Sequence, residues 1–177
     1  MSTTEAVLNL TMEAATANRR SQFDEIYSRD AAGFMRIARL YGGPDAEDLY
    51  QEIAMAIWLA LANFRGQCST RTYAFRIAHN RGLSYRSGRF QRDSAAEPLH
   101  EEPAAPETMD RTVLQADRFQ QLMNALKQLP DNMQQVIALS LEGFSYDEIA
   151  GVTGLTRSHV GVLLNRGKQR LQTLINE

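Results

Sequence analysis

Four carboxylates crowd the eight residues Asp45-Ala46-Glu47-Asp48-Leu49-Tyr50-Gln51-Glu52. Clustered acids can hold a metal ion or act as an acid/base pair, but either use needs further ligands or a partner base. None is near in sequence, and His79, His100 and His159 are scattered. On a helix, Asp48 and Glu52 share one face at i and i+4, with Gln51 beside them. Like charges this close repel unless a cation meets them. The segment therefore reads as a polar docking face for a basic partner, with a metal or acid/base site as the alternative.

A second segment has the opposite character. From Ile53 to Arg92 there are seven arginines (65, 71, 76, 81, 86, 89 and 92) and no acid. Phe64, Tyr73, Phe75, Tyr85 and Phe90 are interleaved with them. Guanidinium groups neutralise phosphates, and aromatic faces stack on unpaired bases, so this composition suits single-stranded or melting DNA. The alternative is that Tyr73 and Phe75 are partly core and the arginines simply solvated. A third segment, Arg157-Ser158-His159 followed by Asn165 and Arg166, opens a helix that could enter a major groove. A plain helical hairpin, or one used for protein contact, is the competing reading there.

No other pattern offers chemistry. There is no Gly-rich phosphate loop, no His-Glu-x-x-His and no Gly-x-Ser-x-Gly. We expect no catalytic residue, no cofactor and no bound metal. The one cysteine, Cys68, excludes an internal disulfide framework and a Cys-based zinc site. No apolar run approaches the ~18 residues a membrane span needs, and a cytoplasmic chain is expected.

The elements that must position these residues are helical. Phe23, Ile26, Tyr27, Phe34, Ile37, Ala38 and Tyr41 fall on one helix face. Gly42-Gly43-Pro44 ends that helix, and Asp45 can cap the next. The next helix carries Leu49, Ile53, Ile57, Ala60, Leu61 and Phe64 on one stripe, with Trp58. Ser69 or Thr70 then starts a third, running to about Arg86. Further on, Leu114, Leu122, Met123, Leu126 and Leu129 mark a helix, and Pro130-Asp131 starts another with Val136, Ile137, Ser140 and Leu141 inward. Ser145-Tyr146-Asp147-Glu148 is a capping box. The helix it opens ends at Thr153-Gly154-Leu155, and Thr156 caps a last helix with Val160, Leu163, Leu164, Gly167, Leu171, Leu174 and Ile175 inward. A short helix, a Gly-containing turn and a longer helix make a helix-turn-helix pattern.

Charge divides the chain. Its 177 residues carry a net charge of −2 and a pI near 6.0, which taken alone argues against nucleic acid. Yet residues 1–92 carry +3, residues 93–115 carry −5, and residues 116–177 are neutral. Three of the five prolines (98, 103 and 106) fall in the acidic middle. The expected fold is all-α: a flexible or briefly helical leader (1–18), an N-terminal helical domain (19–92), an acidic, Pro-containing linker (93–113) and a C-terminal helix-turn-helix domain (114–177).

In this order and spacing the motifs resemble a bacterial sigma factor of the extracytoplasmic-function (ECF) type, in the sigma-70 family. Asp45 to Glu52 is similar to the family's polymerase clamp-binding segment. Phe64-Arg65-Gly66 and Arg71 to Asn80 look like its promoter-melting and minus-ten segment. Leu126 to Pro130 and Glu142 to Ala150 look like the start of its minus-thirty-five domain. The resemblance implies that Asp48, Leu49, Gln51 and Glu52 bind the clamp of core RNA polymerase, whose flap is a further contact. Phe64, Arg65, Arg71, Tyr73, Arg76, His79 and Asn80 would bind and melt the minus-ten DNA. Arg157, Ser158, His159, Asn165 and Arg166 would meet the minus-thirty-five element. It also implies an anti-sigma factor or other regulator as a further partner, and a linker threaded through the polymerase. A docking protein without promoter specificity, or an ordinary helix-turn-helix regulator, is the alternative.

Overall fold

The computed structural model describes residues 3–93 and 111–176. Every element among them is helical: α1 (Thr3–Gly42), a 3-10 turn (Gly43–Asp45), α2 (Ala46–Leu61), α3 (Thr70–Asp93), α4 (Arg111–Lys127), α5 (Asp131–Leu141), α6 (Tyr146–Thr153) and α7 (Arg157–Asn176). They form two compact units, residues 1–84 and 85–177, the division falling within α3. Of the linker expected over 93–113, residues 94–110 lie outside the described residues, as do the side chains of Phe90, Arg92 and Leu114.

The first unit is built on α1 and α2 with α3. Ile26, Phe34, Ile37, Ala38 and Tyr41 of α1 are buried with Leu49, Ile53, Ile57 and Leu61 of α2 and Ala74, Phe75 and Ala78 of α3. The rings of Phe34 and Phe75 lie 4.9 Å apart, and Tyr27 stacks on Phe23 at 4.5 Å. The leader is corrected: from Thr3 it is continuous with α1, which runs for 40 residues. Residues 3–18 contain no Gly or Pro and several Ala, Leu and Glu, so a helix nucleated by the packed half of α1 propagates through them cheaply. Asp45 stands at the N-cap of α2 but makes no side-chain capping bond. Its ψ of 25° is not the extended conformation that brings a cap carboxylate over the N2 and N3 amides. Ser69 does cap α3, its Oγ accepting from the Thr72 N–H at 3.0 Å.

In the second unit α7 packs on α4, α5 and α6, and α5 is deeply buried beside it. Gln134, Val136 and Leu139 are fully buried, and Gln134 escapes the cost of burial by donating from Nε2 to the Leu126 carbonyl at 3.0 Å. Leu141, expected inward, is 59% exposed, because α5 ends at that residue. The capping box forms as expected: Ser145 Oγ accepts from the Glu148 N–H, and Glu148 accepts from the Ser145 N–H at 2.8 Å. Gly154 closes α6 with φ of 75°, a left-handed conformation that suits glycine. Thr156 Oγ1 then accepts from the His159 N–H at 3.3 Å, starting α7.

Candidate nucleic-acid interface

On α2, packing decides which motif residues are available. Ala46, Leu49, Ile53, Ile57 and Leu61 point into the core. Asp48, Gln51, Met55 and Leu59 follow one another along the opposite, exposed face. Leu49, expected among the polymerase-binding residues, is 0% exposed. It is corrected to a core residue that anchors α2. Glu52 is half-buried and already paired: Arg81 donates to its Oε2 from Nη2 at 2.7 Å and from Nε at 3.0 Å. Asp48 has no ion pair among the described residues, so its charge is open to a partner.

The loop between α2 and α3 is closed by a pair of rings. Phe64 and Tyr73 lie 4.8 Å apart, and the Tyr73 hydroxyl donates to the Ala60 carbonyl at 3.3 Å. Arg65, Gly66 and Gln67 are left exposed. Beside Phe64 runs an open groove of about 450 Å³, lined by Met12, Thr16, Arg19, Gln22 and Leu61 among others.

Along α3 the expected residues separate. Arg76 is half-buried and Asn80 exposed. Arg71 is tied down: its Nε donates to Asp30 Oδ1 at 2.9 Å, and its guanidinium sits 5.2 Å from the centre of the Phe75 ring. Asp30 is only 7% exposed and also accepts from Arg29 Nε at 2.7 Å. A buried carboxylate stripped of a partner is costly, so Arg71 also braces α1 against α3. The arginine stretch thus has acids after all, supplied by other segments: Asp30 for Arg71, Glu52 for Arg81, and, in the second unit, Asp131 for Arg86.

His79 is the clearest correction. It is fully buried, with Nδ1 3.0 Å from the Tyr41 hydroxyl and Nε2 without a hydrogen-bond partner among the described residues. It cannot touch DNA in this fold. Burial disfavours the imidazolium and pushes its pKa down from 6.5 to about 3. The unfolded chain therefore binds the extra proton between these two values. Its contribution to stability is complete above about pH 6.5 and is lost as pH falls towards 3, at ~1.4 kcal/mol per pH unit. Urea melts across pH 4–7 should show this slope as a difference between wild type and His79→Gln, which has no ionisable group there. Parallel pH dependences in the two proteins would refute it.

On α7, Val160, Leu163, Leu164, Gly167 and Leu171 are buried. Ser158, His159, Asn165 and Arg166 are exposed together, as expected for a reading helix. Arg157 is exposed but paired, its Nη1 2.8 Å from Asp147 Oδ2 at the start of α6.

Two residues that matter here were missed from sequence. Asp30 lies between Ile26 and Phe34 on the apolar face of α1, and a lone acid in such a stripe signals a buried partner. Gly82 gives no signal in sequence, yet a Cβ there would come within 2.3 Å of the Tyr41 ring.

Comparison with known proteins agrees with this arrangement. Residues 26–89 match the family model for sigma-70 region 2, and residues 119–171 match that for sigma-70 region 4. The chain is 28% identical over 175 residues to the RNA polymerase sigma factor CarQ of Myxococcus xanthus, covering 94% of this chain and 96% of that one. It is 26% identical over 167 residues to the ECF RNA polymerase sigma factor SigM of Mycobacterium tuberculosis, covering 93% and 82%. In fold it is similar to the sigma factor RpoE of Bartonella quintana, solved in complex with the anti-sigma factor NepR, with a TM-score of 0.66 at 23% identity over 87% of this chain and 96% of that one. With both regions matched in order, the chain belongs to the sigma-70 family as an RNA polymerase sigma factor of the ECF type.

Proposed function

We propose that this sigma factor docks on the clamp of core RNA polymerase through the outer face of α2, with Asp48 and Gln51 as the principal contacts. Promoter melting falls to the loop after α2 and to α3, through Phe64, Arg65, Tyr73, Arg76 and Asn80. The minus-thirty-five element is met by the first turns of α7, through Ser158, His159, Asn165 and Arg166, while the flap is a further contact of this unit. One observation carries this reading. On each of these helices the apolar residues take the core, and Asp48 and Gln51 of α2, Asn80 of α3 and Ser158, His159, Asn165 and Arg166 of α7 are left exposed on the outer face. Leu49, Arg71 and His79 act indirectly, by holding those faces in place.

On this reading the chain is not an enzyme: RNA synthesis belongs to the polymerase, and the sigma factor supplies recognition and melting in the cytoplasm, where polymerase and promoter DNA are found. Among the described residues no helix is long and apolar enough to cross a membrane. Because the Bartonella quintana neighbour is held by an anti-sigma factor, we extend the proposal to an anti-sigma regulator here.

Arg76→Ala combined with Asn80→Ala should lower promoter opening about tenfold, in keeping with the 1–3 kcal/mol of a lost nucleic-acid contact. Permanganate reactivity of the melted region reads this directly, alongside polymerase binding, which should not change. Full reactivity in the double variant would remove α3 from the melting step.

A further inference from the structure

The outermost stripe of α7 differs from what its first three residues suggest. Its buried face centres on Val160, Leu164, Gly167 and Leu171. Half a helical turn away, at steps of four, three and four, stand Ser158, Val162, Asn165 and Gln169, all exposed. Arg157 is nearer the packed side and is engaged by Asp147.

Val162 is the one member of this crest without a polar atom, and it is 46% exposed. Gly161 has no side chain, and the ring of Tyr146 lies 3.5 Å from where a Cβ would stand. Tyr146 is itself 43% exposed. On the other flank stand His159 and Arg166, while Arg157 and Lys168 lie on the Gly161 side, four residues before and seven after it. The second turn of the helix therefore presents an apolar point between a hydroxyl and an amide. The major groove of DNA offers one apolar group to such a point, the C5-methyl of thymine.

We infer that Val162 is a specificity-determining residue that packs on a thymine methyl in the minus-thirty-five element. Ser158 and Asn165 lie on either side of it along the stripe and hydrogen-bond to neighbouring base edges. This rests on the reading of α7 as the helix that meets the minus-thirty-five element, and it explains how a helix with few cations on its crest discriminates sequence. Affinity then comes from flanking phosphate contacts and from the polymerase, and the methyl contact sets preference.

The test uses the full chain bound to core polymerase, on a promoter recovered by run-off transcription from genomic fragments. Each thymine of the minus-thirty-five element, on either strand, is replaced in turn by deoxyuridine, which differs only in lacking the methyl. At one position the wild-type holoenzyme should lose about three- to fourfold in affinity, the value of one buried methyl. The Val162→Ala holoenzyme, weaker on the natural promoter, should lose nothing further there. Circular dichroism should show an unchanged fold for this exposed substitution. Equal deoxyuridine effects in both proteins, no effect at any thymine, or an element without A·T pairs would overturn the inference. Scrambling the whole element is the separate control: if it leaves wild-type binding unchanged, α7 does not read DNA and the underlying reading fails as well.

Discussion

Charge reversal at Asp48 and Glu52 together is expected to weaken binding to core RNA polymerase about 100-fold, close to 3 kcal/mol. The magnitude follows from placing two cations where a basic partner surface docks, which converts attraction to repulsion. The fold should survive. Asp48 is exposed, and the Glu52–Arg81 pair, 37% and 46% exposed, is of the kind that contributes at most about 1 kcal/mol. The structure also divides the effect between the two residues. Asp48→Lys alone should cause most of the loss, because Asp48 has no ion pair among the described residues. For Glu52 the informative variant is the exchange Glu52→Arg with Arg81→Glu. If Glu52 serves mainly to hold Arg81, the exchange keeps polymerase affinity near the wild-type value. If it meets the polymerase, affinity falls as in the reversal. Competition for core polymerase against labelled wild type measures all three. Unchanged affinity in the double reversal would end the docking proposal.

Gly82→Ala should destabilise the first unit by about 3 kcal/mol, although alanine is the better helix former. A methyl at this position of α3 would stand 2.3 Å from Cδ2 and 2.8 Å from Cγ of Tyr41. Tyr41 is 4% exposed and its hydroxyl holds His79 Nδ1 at 3.0 Å. A buried ring has no free end to swing aside, so overpacking costs about 1–3 kcal/mol. Displacing the hydroxyl also leaves a buried imidazole nitrogen unpaired, for about 1–3 kcal/mol more. The helix-propensity gain of ~1 kcal/mol offsets only part of this. Gly88→Ala provides the contrast on the same helix. Nothing lies within 4 Å of its Cβ position, so it should raise stability by about 0.5–1 kcal/mol. Thermal or urea melts of the full chain test both signs. A neutral or stabilising Gly82→Ala would mean that Tyr41 and α3 do not pack as described.

Much of the candidate site was legible in local pattern. The capping box at Ser145, the glycine turn at Gly154 and the Thr156 cap define the helix-turn-helix within a residue, because each is closed by a hydrogen bond between residues three or four positions apart. The acidic motif settled on α2 in the register its spacing implied. Errors arose where a motif residue was assumed to face outward because its neighbours do. Leu49 and His79 each sit among polar residues in sequence, yet both are 0% exposed. Helical period places them inward only once the packed face of each helix is known.

The amino-acid sequence by itself determined the helical class, the order of the elements, the caps at Ser69, Ser145 and Thr156 and the membership of the sigma-70 family. These depend on propensity, periodicity and turn chemistry acting over a few residues. Only the tertiary structure decided which charges remain for partners. Arg71 finds Asp30 across 41 residues, and Arg81 finds Glu52 across 29. Those pairings remove two arginines from a stretch that reads as uniformly basic. Local spacing cannot encode them, because the partner of a charge is set by which helix faces meet in the core, and that is a property of the whole packed unit.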